Sequence, residues 1–510
     1  MFYVECFIRN IFPIFGKFLA KPMVEESLKD RTAKGLFWGG LSNGLQQLLN
    51  LFFGIFLARL LSPSDYGMVG ILNVFGILAV TLQECGFSSA LVNKAVVRQE
   101  DYNAVFWFNV LVGFILYWIL FFSAPLIARF FDTPELTALS RYLFLAVLIS
   151  CMGTAHYAYL FRNMRVKQNS IILLISLVIS GTAGVIMAYY GLAYWGMATQ
   201  AIINSTCLTV LRWFFSGWRP SFRLDFRPLK EMLSYSYKIL ITNIFLQFNN
   251  NLLSIVMGRF YTIKDVGFFT QSNKWNNMGC SVIQGMVQSV AQPVLHNVDA
   301  DKERLRRVFR KLLRFVSFVS FPCLLGLSLV ASELITISIT NKWSESIVFL
   351  QLLCISGAFV PIHNLYSNLV LSRGRSDIYM WTTLVLLSVQ ILVSVLVHGY
   401  GMKIMVICYV LVYIIWTFVW HYWAWRLIKL SLWDAIKDVF PFLFVSSVVV
   451  FLSDFICLHV TDNMYASFIG KILFAGLLYI GVMWLLRVKT LQEAFEYLFK
   501  KKSTSNGIER

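Results

Sequence analysis

NGLQQLLNLFFGIFLARLLSPSDYGMVGILN, residues 43–73, returns 200 positions later as NIFLQFNNNLLSIVMGRFYTIKDVGFFTQSN, residues 243–273. Asn43, Gln47, Asn50, Ile55, Arg59, Asp65, Gly67 and Asn73 coincide with Asn243, Gln247, Asn250, Ile255, Arg259, Asp265, Gly267 and Asn273, while Ser42 and Ser62 meet Thr242 and Thr262. Both stretches are otherwise apolar enough to cross a bilayer. Apolar matches between such segments arise by chance, but coinciding Asn, Gln, Arg and Asp do not, because each is expensive in lipid. A duplication explains them. An even number of spans separates the copies, so both halves run in the same direction and pack about an axis along the membrane normal, a construction common in transporters.

The rest of the chain obeys the same solvent. Of its 510 residues, 58% are hydrophobic, 16% aromatic and 14% charged, against about 25% charged in an ordinary soluble domain. Apolar runs of about 20 residues, the length that spans hydrocarbon, recur from end to end. They fall near 34–60, 68–93, 102–125, 137–161, 170–190, 196–215, 230–258, 269–295, 309–332, 345–371, 378–398, 402–428, 438–460 and 465–487. This is an all-α polytopic membrane protein of about 14 transmembrane helices. The expected organisation is an N-terminal extension at 1–33, a six-helix bundle at 34–215, a basic linker at 216–229, a second six-helix bundle at 230–428, two added spans within 429–487 and a basic tail at 488–510. The run from Phe2 to Ala20 is interrupted by Arg9, Pro13 and Lys17. It reads as an interfacial helix or as sequence upstream of a start at Met23.

A net charge of +18 suggests nucleic acid in a soluble protein, but here the positions of the charges argue for topology. Alternate connectors hold 42 of the 44 Lys and Arg in a ratio of about four to one, with Arg141 and Lys238 inside spans. The rich set includes Arg162, Arg165 and Lys167, then Arg219, Arg223 and Arg227, then Lys302 through Arg314, and the tail. Positive residues stay in the cytoplasm, so the rich connectors and both termini belong there, and no nucleic-acid partner is expected. The nine cysteines are scattered without a CxxC pair, which gives neither a metal site nor a disulfide framework.

Asn43, Gln47 and Asn50, spaced by four and three, share one helix face, as do Asn243, Gln247 and Asn250. Neither face can point at acyl chains. The second and eighth spans add Asn73, Gln83, Glu84, Gln271, Asn273, Lys274, Asn276, Asn277, Gln284 and Gln288. The expected result is a water-accessible cavity between the halves, lined by spans 1, 2, 7 and 8. No Walker A, HExxH or GxSxG pattern is present, and His156 and His363 are isolated, reading as helix contacts. The chain is not expected to be an enzyme or an ATP-driven pump, and it needs no cofactor.

LARLLSPSDYGMVGI at 57–71, ECGFSSALVNK at 84–94, WRPSFRLDFRPLKEML at 218–233, NNLLSIVMGRFYTIKDVGFFTQSNKW at 250–275 and FPCLLGLSLVASELITISITNKW at 321–343 resemble the polysaccharide flippases. These form a branch of the superfamily that also holds multidrug and toxin extruders and the lipid II flippase. The resemblance implies two pseudo-symmetric bundles of six helices around a central cavity, with two added C-terminal helices. It implies transport, in the bacterial cytoplasmic membrane, of an undecaprenyl-pyrophosphate-linked oligosaccharide to the outer leaflet for lipopolysaccharide, capsule or exopolysaccharide assembly. Membrane lipids, a polysaccharide polymerase and chain-length machinery are the implied partners. Lipid II flipping and ion-coupled drug antiport, within the same superfamily, stay open as alternatives, and a polytopic polymerase is disfavoured by short outer connectors.

Under that resemblance Arg59, Arg259 and Lys274 are the candidate cations for the pyrophosphate. Asn43, Gln47, Asn50, Asn243, Gln247, Asn250, Asn273 and Asn277 are the candidate head-group path, because amides can replace the water around neutral sugars. Glu84, where relatives often carry Asp, is the candidate for H+ or Na+ coupling. Asp65 and Asp265 are expected to clamp the turns after spans 1 and 7, with Gly67 and Gly267 relieving backbone strain there.

Overall fold

The computed structural model describes residues 28–297 and 302–492, apart from 85, 88–89, 92–93, 95, 223–224, 226, 462 and 489–490. The expectations for residues 1–22 and for most of the 488–510 tail lie outside the described residues. Among the described residues fourteen long helical segments follow one another. In the first half these are α1 (Leu28–Leu60), α2 (Pro63–Glu84), α3 (Gln99–Phe130), α4 (Leu136–Arg162), α5 (Val166–Tyr189) and α6 (Ala193–Ser216). The second half continues with α7 (Arg227–Phe260), α8 (Ile263–Asn297), α9 (Lys302–Leu329, extended by Ala331–Ile339), α10 (Glu345–Ser372), α11 (Ser376–Val397) and α12 (Met402–Ile428). Then come α13 (Leu432–Val460) and α14 (Met464–Leu485).

Eleven of these helices are long and apolar enough to cross a membrane, and α6, α7 and α8 are not among the eleven. The two repeat helices of the second half owe this to the amides that mark the repeat. Several spans outrun their apolar windows: α7 has 34 residues and α8 has 35. Hydropathy marks where lipid ends, whereas the backbone ladder continues into water, so the cations from Lys302 to Arg314 ride on the first turns of α9 rather than in a loop. Breaks inside spans have local causes. A 3₁₀ turn at Cys151–Gly153 interrupts α4, and Pro125, Pro322 and Pro441 lie inside α3, α9 and α13.

Helices pack tightly within each half, and the two halves meet chiefly where α2 lies along α8 and α7 lies against α2 and α3. The segment after α6 is fixed to the first half rather than hanging free. Trp218 Nε1 donates to Gln99 Oε1 at 2.7 Å, Trp107 Nε1 donates to the Ser221 carbonyl at 2.8 Å, and the Ser221 amide donates to Asn103 Oδ1 at 3.0 Å. The two added helices are pinned to α9 at both ends. Arg310 pairs with Asp438 at 2.6 Å and with Asp434 at 3.1 Å, while Lys471 pairs with Glu333 and Asp454 at 2.7 Å each. Tyr479 also donates to the Phe318 carbonyl at 2.9 Å.

Candidate functional site

Exposure along the repeat helices traces a funnel. At the basic end Asn43 and Asn243 are exposed, and Gly285 and Gln288 of α8 are open too. Farther along the helices Gln47, Asn50, Gln247 and Asn273 are half-buried, while Asn250 and Asn277 stay exposed. Beyond them Gly54, Leu57, Ala58, Val256, Met257 and Gly258 are closed off. The halves therefore stand apart toward the basic end and converge toward the opposite, far end. Gln47 donates to Ser281 Oγ at 3.2 Å across the seam, the one cross-half bond formed by the two amide trios among the described residues.

Lys274 sits at the apex of the funnel. It extends from α8 to α1, where a Cβ on Gly54 would collide with its Nζ, so glycine makes the room that the ammonium occupies. Among the described residues it makes no ion pair and no hydrogen bond. Not every polar residue of α2 and α8 faces this space. Gln83 is fully buried and donates to Thr154 Oγ1 at 3.3 Å inside the first half. Gln271 is buried, and Asn276 packs against Gly357 of α10. For these three the expectation of a cavity lining is corrected: Gln83 and Asn276 meet other helices of their own half, and Gln271 Oε1 is buried without a partner.

Glu84 ends α2 with its side chain exposed, within electrostatic reach of Arg212 of α6 rather than at the seam between the halves. The Arg212 guanidinium lies 4.9 Å from the Tyr157 ring centroid, and its Nε is buried without a partner. These surroundings come from α2 and α4, so the sequence around Arg212 carries no signal of them. His363 Nε2 lies 2.9 Å from Thr417 Oγ1, and His156 stacks on Trp213 with centroids 4.7 Å apart.

The far end is sealed by the repeat itself. Ser62 and Asp65 cap α2 reciprocally: the Ser62 amide and hydroxyl donate to Asp65 Oδ2 at 2.8 and 2.6 Å. Thr262 and Asp265 repeat this on α8 at 3.1 and 2.7 Å. A Cβ on Gly67 would strike the carbonyl oxygen of Ile263, and one on Gly267 would strike that of Pro63. Both glycines have ordinary helical backbone, so they serve the crossing of α2 and α8 rather than the relief of turn strain. Arg59 donates from Nε and Nη2 to the carbonyls of Ser338 and Ile337 at 2.6 and 2.7 Å. Arg259 donates to the Phe130 carbonyl at 2.6 Å and pairs with Asp132 at 3.2 Å. Both arginines thus lie at the far end, away from Lys274, with their donors turned to the opposite half.

Comparison with known proteins agrees with this architecture. The family described as "Polysaccharide biosynthesis protein" matches residues 56–348. The lipopolysaccharide biosynthesis protein WzxC of Escherichia coli (strain K12) is 24% identical over 358 residues, covering 69% of this chain and 72% of WzxC. The teichuronic acid biosynthesis protein TuaB of Bacillus subtilis (strain 168) is 24% identical over 367 residues, covering 71% and 75%. Among solved structures, the lipid II flippase MurJ in an inward closed conformation superposes with a TM-score of 0.73 at 16% identity, covering 91% of this chain and 99% of MurJ. An inward-facing multidrug resistance transporter of the MATE family reaches 0.62 at 16% identity, covering 75% and 94%. The chain shares the fold of MurJ and of the MATE transporter, and it belongs to the polysaccharide biosynthesis protein family.

Proposed function

We propose that the protein flips an isoprenyl-pyrophosphate-linked oligosaccharide from the cytoplasmic to the outer leaflet by alternating access. The polymerase and chain-length machinery of a surface polysaccharide would then receive the product. The observation that carries this reading is Lys274, a membrane-embedded ammonium without a protein partner at the apex of an amide-lined funnel. An unpaired charge withdrawn from water costs several kcal/mol, so a countercharge arriving with the cargo is the natural complement. A pyrophosphate supplies it, while Asn43, Gln47, Asn50, Asn243, Gln247, Asn250, Asn273 and Asn277 exchange hydrogen bonds with the neutral sugars.

The funnel opens at the basic end, which the positive-inside rule places in the cytoplasm, so the conformation is the one that receives cargo. Glu84, beside Arg212, is the group assigned to proton or sodium coupling. Relatives whose names refer to lipopolysaccharide, teichuronic acid and succinoglycan fit a transporter that reads a lipid pyrophosphate more closely than any one sugar.

Flipping of a fluorescent lipid-linked oligosaccharide in vesicles tests this at matched protein abundance. A lost charge-assisted hydrogen bond is worth about 1.5–3 kcal/mol, so Lys274→Ala is expected to slow transport roughly 10- to 100-fold, with Lys274→Arg restoring much of it. Full activity in Lys274→Ala removes the lysine from the mechanism and the reading with it.

A further inference from the structure

We infer that Arg59 and Arg259 form a swapped latch that holds the far face shut, with Lys342 and Trp343 as its auxiliary donors. Each arginine ends the first helix of its own half and reaches the last carbonyls of the third span of the other: Arg59 from α1 to α9, and Arg259 from α7 to α3. Backbone carbonyls at a helix C-terminus lack intrahelical donors and carry the negative end of the helix dipole, so they are the protein's own anion-like acceptors. A guanidinium presents several donors in a fixed fork and suits this role better than lysine.

The two arms are unequal. On the Arg59 side Lys342 Nζ donates to the Arg59 carbonyl at 2.6 Å, and Trp343 Nε1 donates to that of Ala58 at 2.9 Å. Trp343 is fully buried, with its ring edge-to-face on Tyr66 at 5.2 Å. The exchange is therefore mutual, with the end of α1 also receiving donors from the segment that follows α9. On the Arg259 side the ionic partner Asp132 is 81% exposed and Arg259 is 43% exposed. Such a pair is screened by salt, whereas the Arg59 arm is mostly carbonyl-bonded and partly dry.

Each of these bonds joins the first half to the second, so any motion that parts the halves at the far end must break them. With the funnel already open at the basic end, they fix which side is closed. The contacts between Gly67 and the Ile263 carbonyl, and between Gly267 and the Pro63 carbonyl, provide the tight surface; the arginines provide the directional hold. This assignment rests on the alternating-access reading and places the two arginines in the gate rather than around the cargo.

The test is accessibility. With Asn50→Cys as the reporter in a full-length, cysteine-free background, a membrane-impermeant thiol reagent is added to intact cells. Arg59→Ala is expected to raise the labelling rate at least fivefold and Arg259→Ala less, with the double variant exceeding both. Raised salt, which screens the exposed Asp132 pair but leaves the Phe130 carbonyl bond, should shift the rate in the direction of Arg259→Ala by a smaller factor. Trp343→Phe, which keeps a smaller aromatic ring and loses the donor, should shift the rate in the same direction by a smaller factor and serves if Arg59→Ala does not fold. A fall in melting temperature with unchanged labelling would make the arginines structural staples and overturn the latch. Labelling that is unchanged with melting also unchanged overturns it equally. The outcome is separable from the Lys274 test, because the latch variants keep the cavity lysine and a failed latch leaves the Lys274 transport result untouched.

Discussion

At the scale of single residues, the far-end seam depends on two missing methyl groups. An added Cβ at Gly67 or Gly267 meets a backbone oxygen, which cannot swing away as a side chain can. Overpacking of this kind costs about 1–3 kcal/mol, so Gly67→Ala and Gly267→Ala should each lower the detergent melting temperature and loosen the far face. Gly44→Ala in α1 meets nothing within 4 Å, and replacing a helical glycine gains about 0.5–1 kcal/mol, so it should leave melting unchanged or raise it. Equal effects at the three positions would sink this account of the crossing. The amide trios were legible in the sequence because Asn and Gln in lipid need a reason. The glycine contacts were not, since each clash partner lies about 200 residues away, and only the repeat hinted that both glycines had a task. Arg59 and Arg259 were conspicuous as repeated cations, but sequence could not show that their acceptors are carbonyls, which carry no side-chain signature.

At the scale of helices, α13 and α14 are held to the second half by charge at two levels. Near the basic end Arg310 of α9 grips Asp438 and Asp434, and toward the far end Lys471 of α14 sits between Glu333 of α9 and Asp454 of α13. Glu333 and Lys471 are buried. Removing one member of a buried pair leaves an uncompensated charge and costs about 3–5 kcal/mol, whereas removing both sides together can be nearly neutral. Lys471→Met should therefore melt earlier and accumulate less, and adding Glu333→Gln and Asp454→Asn should recover most of the loss. Wild-type melting in Lys471→Met would mean that lipid-facing packing alone retains these helices. Sequence placed α13 and α14 from hydropathy but could not attach them, because their partners are chosen by three-dimensional neighbours. The same limit explains the span ends: the apolar window closes where water begins, while α7, α8 and α9 continue as helix beyond it.

At the scale of the whole molecule, orientation follows from charge. Fourteen spans return both ends of the described chain to one side, and the connectors on that side hold about four times as many Lys and Arg as the others. Translocating such clusters is disfavoured, and the bias operates through short loops like these, so the funnel's open end should face the cytoplasm. The two sides offer exposed positions outside the proposed site and latch: Lys403 at the start of α12 on the far side, and Arg426 near its other end. In the cysteine-free protein, an impermeant thiol reagent applied to intact cells should modify Lys403→Cys and spare Arg426→Cys, and permeabilised cells should yield both. Because one helix connects the two reporters, a reversed pattern cannot be ascribed to local misfolding. It would turn the whole bundle over, so that the funnel mouth faced away from the cytoplasm and the arginine seam closed the cytoplasmic side. Labelling of both in intact cells would break the fourteen-span count itself, since no continuous 27-residue α12 can present both ends to one compartment.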